Sequence, residues 1–441
     1  MPAFMPRKLT FILFAVWLVL PASLARSAEA VTPDDTARFL AGLSPSSNSP
    51  LAALTNDPLW RQHAHYFDSI FEREDSKLSR IRAFSQTQLT DKHDTMLYMF
   101  SGPDFLYATS FFPTATTYVL AGLEPAGDIP QLTSLSRPAV AETLHNLENS
   151  LGTILSYSFF ITQKMRTQLS SGPVYGTLPV LYVFLARTGK TIHDVSFVSL
   201  DAEGNVEDLG GDGRKAMKNA SAAKGVKIVF SDGSGPNQTL YYFSTNLEDG
   251  GVRRSGFLAF CAKLGPADSF IKSASYLLHS GGFSTVRNFL LAHSATILQD
   301  DSGIPLAYFD PKKWRLQPYG HYVGPLNIFG RSYQPGMAEL FRKDAIPIDF
   351  GIGYRWQRNE SNLLLAEKLS ARTSEGELAP SSPTDNYPAN TESKARKPRA
   401  ATGTDPARRK RAESDTTGSL GCTGIRGIFS FCSPPPPKSN Q

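Results

Sequence analysis

Thr95 to Glu124 reads TMLYMFSGPDFLYATSFFPTATTYVLAGLE. The short apolar run Thr95–Phe100 predicts a buried strand, and Ser101–Asp104, with Gly102 and Pro103, a turn. Phe105–Phe112 then predicts a helix and Thr116–Leu123, rich in β-branched residues, a second strand. The stretch is a miniature βαβ unit, which places the chain among the α/β folds.

Working outward, helices are expected at Asp57–Phe71, Ser76–Leu89 and Ala139–Leu169, with apolar continuation over Thr177–Ala186. Alternating segments around turn residues predict hairpins at Val195–Leu209, Val226–Thr245 and Ala295–Phe309. Helices are expected at Gly256–Lys263, Asp268–Ser280, Ser284–Ser294 and Met337–Lys343, and a last strand at Ile346–Trp356. No repeat of 20 to 50 residues is visible. The expected fold is a mixed α/β domain: a mixed sheet with an N-terminal βαβ unit and later antiparallel hairpins, covered by helices.

Arg7 and Lys8 precede an apolar core, Leu9–Leu20, and Pro21–Ala30 turns small and polar. This is the three-part layout of a secretory signal over residues 1–30, with Ala28 and Ala30, or Ser23 and Ala25, as small residues before a cut. The apolar core is shorter than the roughly twenty residues of a spanning helix, so membrane contact is expected only through this segment if it stays uncleaved. The protein is expected to be exported, periplasmic or secreted. Residues 31–56, rich in Ser, Pro, Ala and Asn, read as a linker into a globular domain at 57–370. Residues 371–441 read as a disordered, basic Pro- and Ser-rich tail.

The net charge of +5 is unevenly spread. Three basic and one acidic residue lie in 1–30, eleven basic and seven acidic in 371–441, and the rest is nearly neutral. A nucleic-acid partner is therefore not expected for the folded part. Cys261 sits on an apolar helical face and reads as a buried thiol. Cys422 and Cys432, in the tail, either stay free or pair in an oxidising compartment.

The turn Ser101, Gly102, Pro103, Asp104 lies where α/β sheets place ligands, and Glu124 follows the second strand. The glycines that would let a backbone approach a pyrophosphate are missing, so no nucleotide cofactor is expected, and no other cofactor either. Ser101, Gly102, Asp104 and Glu124, with Gln299 and Asp301 from the third hairpin, are the ligand-binding candidates. Asp300 and Asp301 also read as plain turn formers before Ser302 and Gly303. Ser269 and Lys272 have the spacing of a serine–lysine acylase, but the later motifs of such enzymes are absent. The simpler reading caps a helix with Asp268 or Ser269 and puts Lys272 on its wet face. His279 and His321 are candidate acids or bases; no His, Cys or carboxylate spacing predicts a metal site. The aromatics Tyr308, Trp314, Tyr319, Tyr322 and Phe329 read as core or as the wall of a cleft.

Tyr98–Glu124, together with Ile297–Pro305, resembles segments of exported bacterial envelope proteins of unassigned activity. The resemblance implies an envelope location and brings no catalytic residues with it. Three functions remain in view: binding a small molecule or envelope component at the end of the first strand, an adaptor whose basic tail touches an anionic envelope polymer, or an acid/base hydrolase.

Overall fold

The computed structural model describes residues 30–158, 174–210, 222–233 and 235–369. The expected leader, except for Ala30, and the tail from 371 on, with Cys422 and Cys432, lie outside the described residues. Thr95–Tyr98 (β1), Phe105–Phe111 (α3) and Thr117–Gly122 (β2) form the expected unit, with β1 and β2 parallel and Thr95 opposite Thr117. On its other side β1 pairs in parallel with Ala267–Ile271 (β7), Thr95 opposite Ala267. A strand flanked on both edges and covered on both faces has no wet side, which is why β1 reads as an unbroken apolar run.

Among the described residues the sheet has ten strands in the order β4-β3-β5-β6-β2-β1-β7-β8-β10-β9. The middle, from Gln238–Ser244 (β6) through β2, β1 and β7 to Ser294–Gln299 (β8), is parallel. One wing is the antiparallel series Lys190–Leu200 (β3), Val206–Gly210 (β4) and Lys224–Asp232 (β5), joined through β5 to β6. The other is Trp314–Gly320 (β9) against Asn362–Lys368 (β10), which also pairs with β8. The fold is a mixed α/β fold.

Side-chain alternation sends Met96, Tyr98, Tyr118 and Leu120 to one apolar layer and Leu97, Met99, Val119 and Ala121 to the other. The first layer is roofed by Pro33–Leu40 (α1), Pro58–Gln88 (α2), α3, Arg137–Tyr157 (α4) and Leu178–Arg187 (α5). The second is covered by Asp249–Val252 (α6), Phe257–Lys263 (α7), Ser284–His293 (α8) and Pro335–Asp344 (α9). Cys261, on α7, is buried, and burial pushes its thiol well above its usual pKa. Among the described residues no helix is long and apolar enough to cross a membrane.

Five expectations need correction. The two helices expected at 57–71 and 76–89 are one, α2, because the polar run Glu72–Ser76 holds no Gly or Pro and continues the helix. Residues 31–56 are no linker: Thr32 caps α1, and Ala37, Phe39, Leu40 and Leu51 are fully buried. Asp268–Ser280 is not a helix but β7 and its loop, since Ala267, Phe270 and Ile271 alone fit either form and two parallel neighbours claim this segment. No hairpin forms at 295–309, because both edges of β8 are already taken by β7 and β10. Ile346–Trp356 makes only isolated bridges, turning at Gly353, whose φ is 65°, and the final strand is β10. The part of the long helix expected beyond Ser158 lies outside the described residues.

If residues 33–56 belong to the fold, Phe39→Ala should lower unfolding free energy by about 3–5 kcal/mol, the usual range for a buried Phe. Denaturant unfolding checks it; an unchanged midpoint would return the segment to a linker.

Candidate functional site

From β1 the chain crosses over α3 to β2 on one side, while β7 lies on the other, so the carboxyl ends of β1 and β7 flank the point where strand order reverses. The backbone there is bent away from ordinary geometry. Phe100 after β1 has φ 64°, and Ser273, Ser275 and Tyr276 after β7 have φ 54°, 52° and 53°. Non-glycine residues in the left-handed region are uncommon and concentrate at functional sites.

Lys272, the first residue after β7, is buried in this crevice. Its Nζ lies 2.8 Å from Asp104 Oδ2, donates to the main-chain oxygen of Ser158 at the end of α4, and sits 3.9 Å from the centre of the Tyr107 ring. Asp104 Oδ2 also accepts from Tyr98 Oη at 2.8 Å, and its Oδ1 caps α3 by accepting from Tyr107 N at 3.2 Å. Tyr107 Oη donates to Glu74 Oε1 (3.0 Å), which Lys77 also reaches. Burial lowers the Lys272 pKa, and the Asp104 charge opposes that shift.

A second group lies at the ends of β7 and β8. Asp300 accepts from Ser273 N (2.8 Å) and from both the N–H and the hydroxyl of Ser302. Asp301 accepts from Tyr276 Oη at 2.8 Å, and its N–H donates to Asn362 Oδ1. Tyr354 Oη donates to Ser273 O and meets Ser275 Oγ. Phe329 packs on both Tyr276 and Tyr354, 4.9 and 5.6 Å between ring centres. The Ser273 hydroxyl is buried with no partner among the described residues. Gly353, at φ 65°, belongs here because a Cβ would come within 2.2 Å of Asp300 Oδ2. Burial first, and the neighbouring Asp301 second, push Asp300 up to about 7; burial also raises Asp301.

The sequence candidates divide accordingly. Asp104 and Asp301 belong to these two groups. Ser101 and Gly102 do not line a cleft: their N–H groups donate to Ala121 O, and Ser101 Oγ bonds Gly102 O and Ala121 N, tying the turn to β2. Glu124 is buried beside Tyr242, whose hydroxyl donates to its main-chain oxygen. Gln299 is buried and spends its amide on both main-chain groups of Ile304, bracing the 300–303 turn. His279 packs edge-on to Tyr276, its Nε2 is buried without a hydrogen-bond partner among the described residues, and burial followed by Arg287 lowers its pKa to about 4. His321 is exposed, with its main-chain N–H on Ser361 O. Ser269 and Lys272 are no acylase pair and no cap: Ser269 bonds Ser294 across to β8 while Lys272 turns to Asp104. Of the aromatics, Trp314 and Tyr319 are core and Tyr308 is exposed.

Sequence reasoning missed Tyr98, Tyr107, Ser273, Tyr276 and Tyr354. The usable signal was Ser273–Tyr276, a serine-dense segment just after Phe270 and Ile271, where open α/β sheets put their functional loops. Among the described residues no group of three or more His, Cys, Asp or Glu could hold a metal ion. An open cleft of ≈ 560 Å³ lies apart from this edge, between α2, α3 and α5, and its Arg82 and Arg187 are paired with Asp75 and Asp68. No family model, curated protein or solved structure matches the chain.

The two shifted groups oppose each other in pH. Asp300 holds its proton in the folded state above the ordinary 3.8, so its stabilising contribution is lost as pH rises from about 4 through about 7. His279 resists protonation below the ordinary 6.5, so its contribution is lost as pH falls through about 4. Between about 4 and 6.5 the wild-type midpoint should therefore change less than either variant's: it should rise with pH in Asp300→Asn and fall in His279→Gln. Thermal unfolding across that range checks both signs.

Proposed function

We propose that the protein is an exported binding protein that holds a small polar molecule or envelope component at the carboxyl ends of β7 and β8, against Ser273, Tyr276, Asp300 and Asp301. The observation that carries this reading is the β7 loop, where three left-handed non-glycine residues within four positions aim main-chain and side-chain groups at a buried pair of carboxyl groups. At the end of β1 Ser101 and Asp104 spend their polar atoms on the protein itself, as Asp300 and Asp301 also do; what sets the β7 loop apart is a side-chain group left over there. Ser273 Oγ has no hydrogen-bond partner among the described residues.

The chemistry favours a ligand rich in hydrogen-bond donors or carrying an amine. Asp300 and Asp301 are adjacent acceptors, and Tyr276, Phe329 and Tyr354 supply an aromatic wall for an apolar ring face. Export is supported by the three-part layout of Met1–Ala30. The pKa of Asp300 near 7 favours a second reading, an acid/base hydrolase, since such a group gives and takes a proton at neutral pH.

A thermal-shift panel of amino sugars, polyamines and short cationic peptides tests the binding reading. The expected result is a stabilising compound whose effect falls at least tenfold in apparent affinity in Asp301→Asn and is weakened in Ser273→Ala. No stabiliser, or one indifferent to both variants, overturns it. Turnover of a bound compound that disappears in Asp300→Asn would move the assignment to the hydrolase.

A further inference from the structure

Asp104 and Lys272 take no part in that binding, and their arrangement calls for a separate account. Each side chain is 2% exposed, and nitrogen and carboxylate oxygen are 2.8 Å apart. A buried ion pair of this kind seldom repays the cost of removing both charges from water. We propose that Lys272 and Asp104 condense into an intramolecular isopeptide bond: Nζ bonds to Cγ of Asp104, the Cγ–Oδ1 bond breaks, and that oxygen leaves as water.

The reaction balances without a co-reactant. An ammonium and a carboxylate become one amide and one water, with nothing oxidised or reduced. Two of the three ammonium protons depart with the oxygen, and the third stays as the amide N–H, which keeps its bond to Ser158 O. Tyr98 Oη donates to Oδ2, the oxygen that remains, and is placed to stabilise the negative charge that gathers there as Nζ adds.

The surroundings favour the amine over the ammonium and the amide over its hydrolysis. Burial lowers the Lys272 pKa, and the Tyr107 ring covers Nζ. The two groups are held in contact by separate loops, so the step is unimolecular and its effective concentration high. Its product would link the turn after β1 to the loop after β7 and remove two buried charges at once.

Intact-mass spectrometry of the folded full chain, read in denaturant, tests this. The expected mass is one water below that of the sequence, after the observed amino terminus is taken into account. Trypsin should then yield a branched peptide of residues 93–164 and 264–287, because a modified Lys272 is no longer a cleavage site. Lys272→Met and Lys272→Arg should both show the full mass. Wild-type protein of full mass, with separate peptides 264–272 and 273–287, overturns the proposal. So does a water loss that maps elsewhere, for example to a ring closure at Asp232–Gly233. Neither result bears on the ligand site at β7 and β8.

Discussion

A lysine removed from water must find every partner inside the protein, and Lys272 finds one on each of three segments: the carboxylate of Asp104 after β1, the main-chain oxygen at the end of α4, and the ring of Tyr107 on α3. Leaving such a charge unpaired would cost several kcal/mol, so the pairing constrains where those segments lie. It constrains most strongly the two central strands. β1 and β7 are far apart in the chain yet adjacent in the sheet, and their carboxyl ends meet at this contact.

That contact lies within a broader asymmetry. The carboxyl edge of the parallel strands gathers Asp104, Asp300, Asp301, two buried tyrosine hydroxyls on carboxylates and a run of left-handed residues. The amino edge is quieter. There His93 donates its N–H to Asp268 and turns its ring nitrogen to the same carboxylate, an arrangement that anchors the chain before β1 to the start of β7. Strain and unfavourable protonation on one edge are offset by the two apolar layers that clamp the sheet, Tyr98 and Tyr118 facing one and Leu97 and Val119 the other.

The unit from Thr95 to Gly122 was legible because each local preference agreed with its final place: apolar runs for doubly covered strands, Gly102 and Pro103 at the turn, Asp104 at the head of α3. Ala267–Ile271 was not legible as a strand. Its apolar residues fit a helical period as well, and Asp268 and Ser269 look like caps until their lateral partners, His93 and Ser294, are known. Residues 33–56 misled for a different reason. Their composition is that of a loop, but a few side chains, Phe39, Leu40 and Leu51, fill space under α2 and α5.

Taken alone, the sequence determined the class of fold, the antiparallel hairpins β3–β4 and β5–β6, and the parallel unit at its centre, because these depend on periodicity and turn chemistry within a few residues. It also singled out Asp104 and Asp301. Only the tertiary structure decided what they face. Asp104 meets a lysine whose sequence neighbours predicted a solvated helix, and Asp301 meets Tyr276 across a loop whose backbone no local preference favours. Both contacts join residues distant in the chain, and their cost or gain depends on burial, which exists only once the sheet has closed around them.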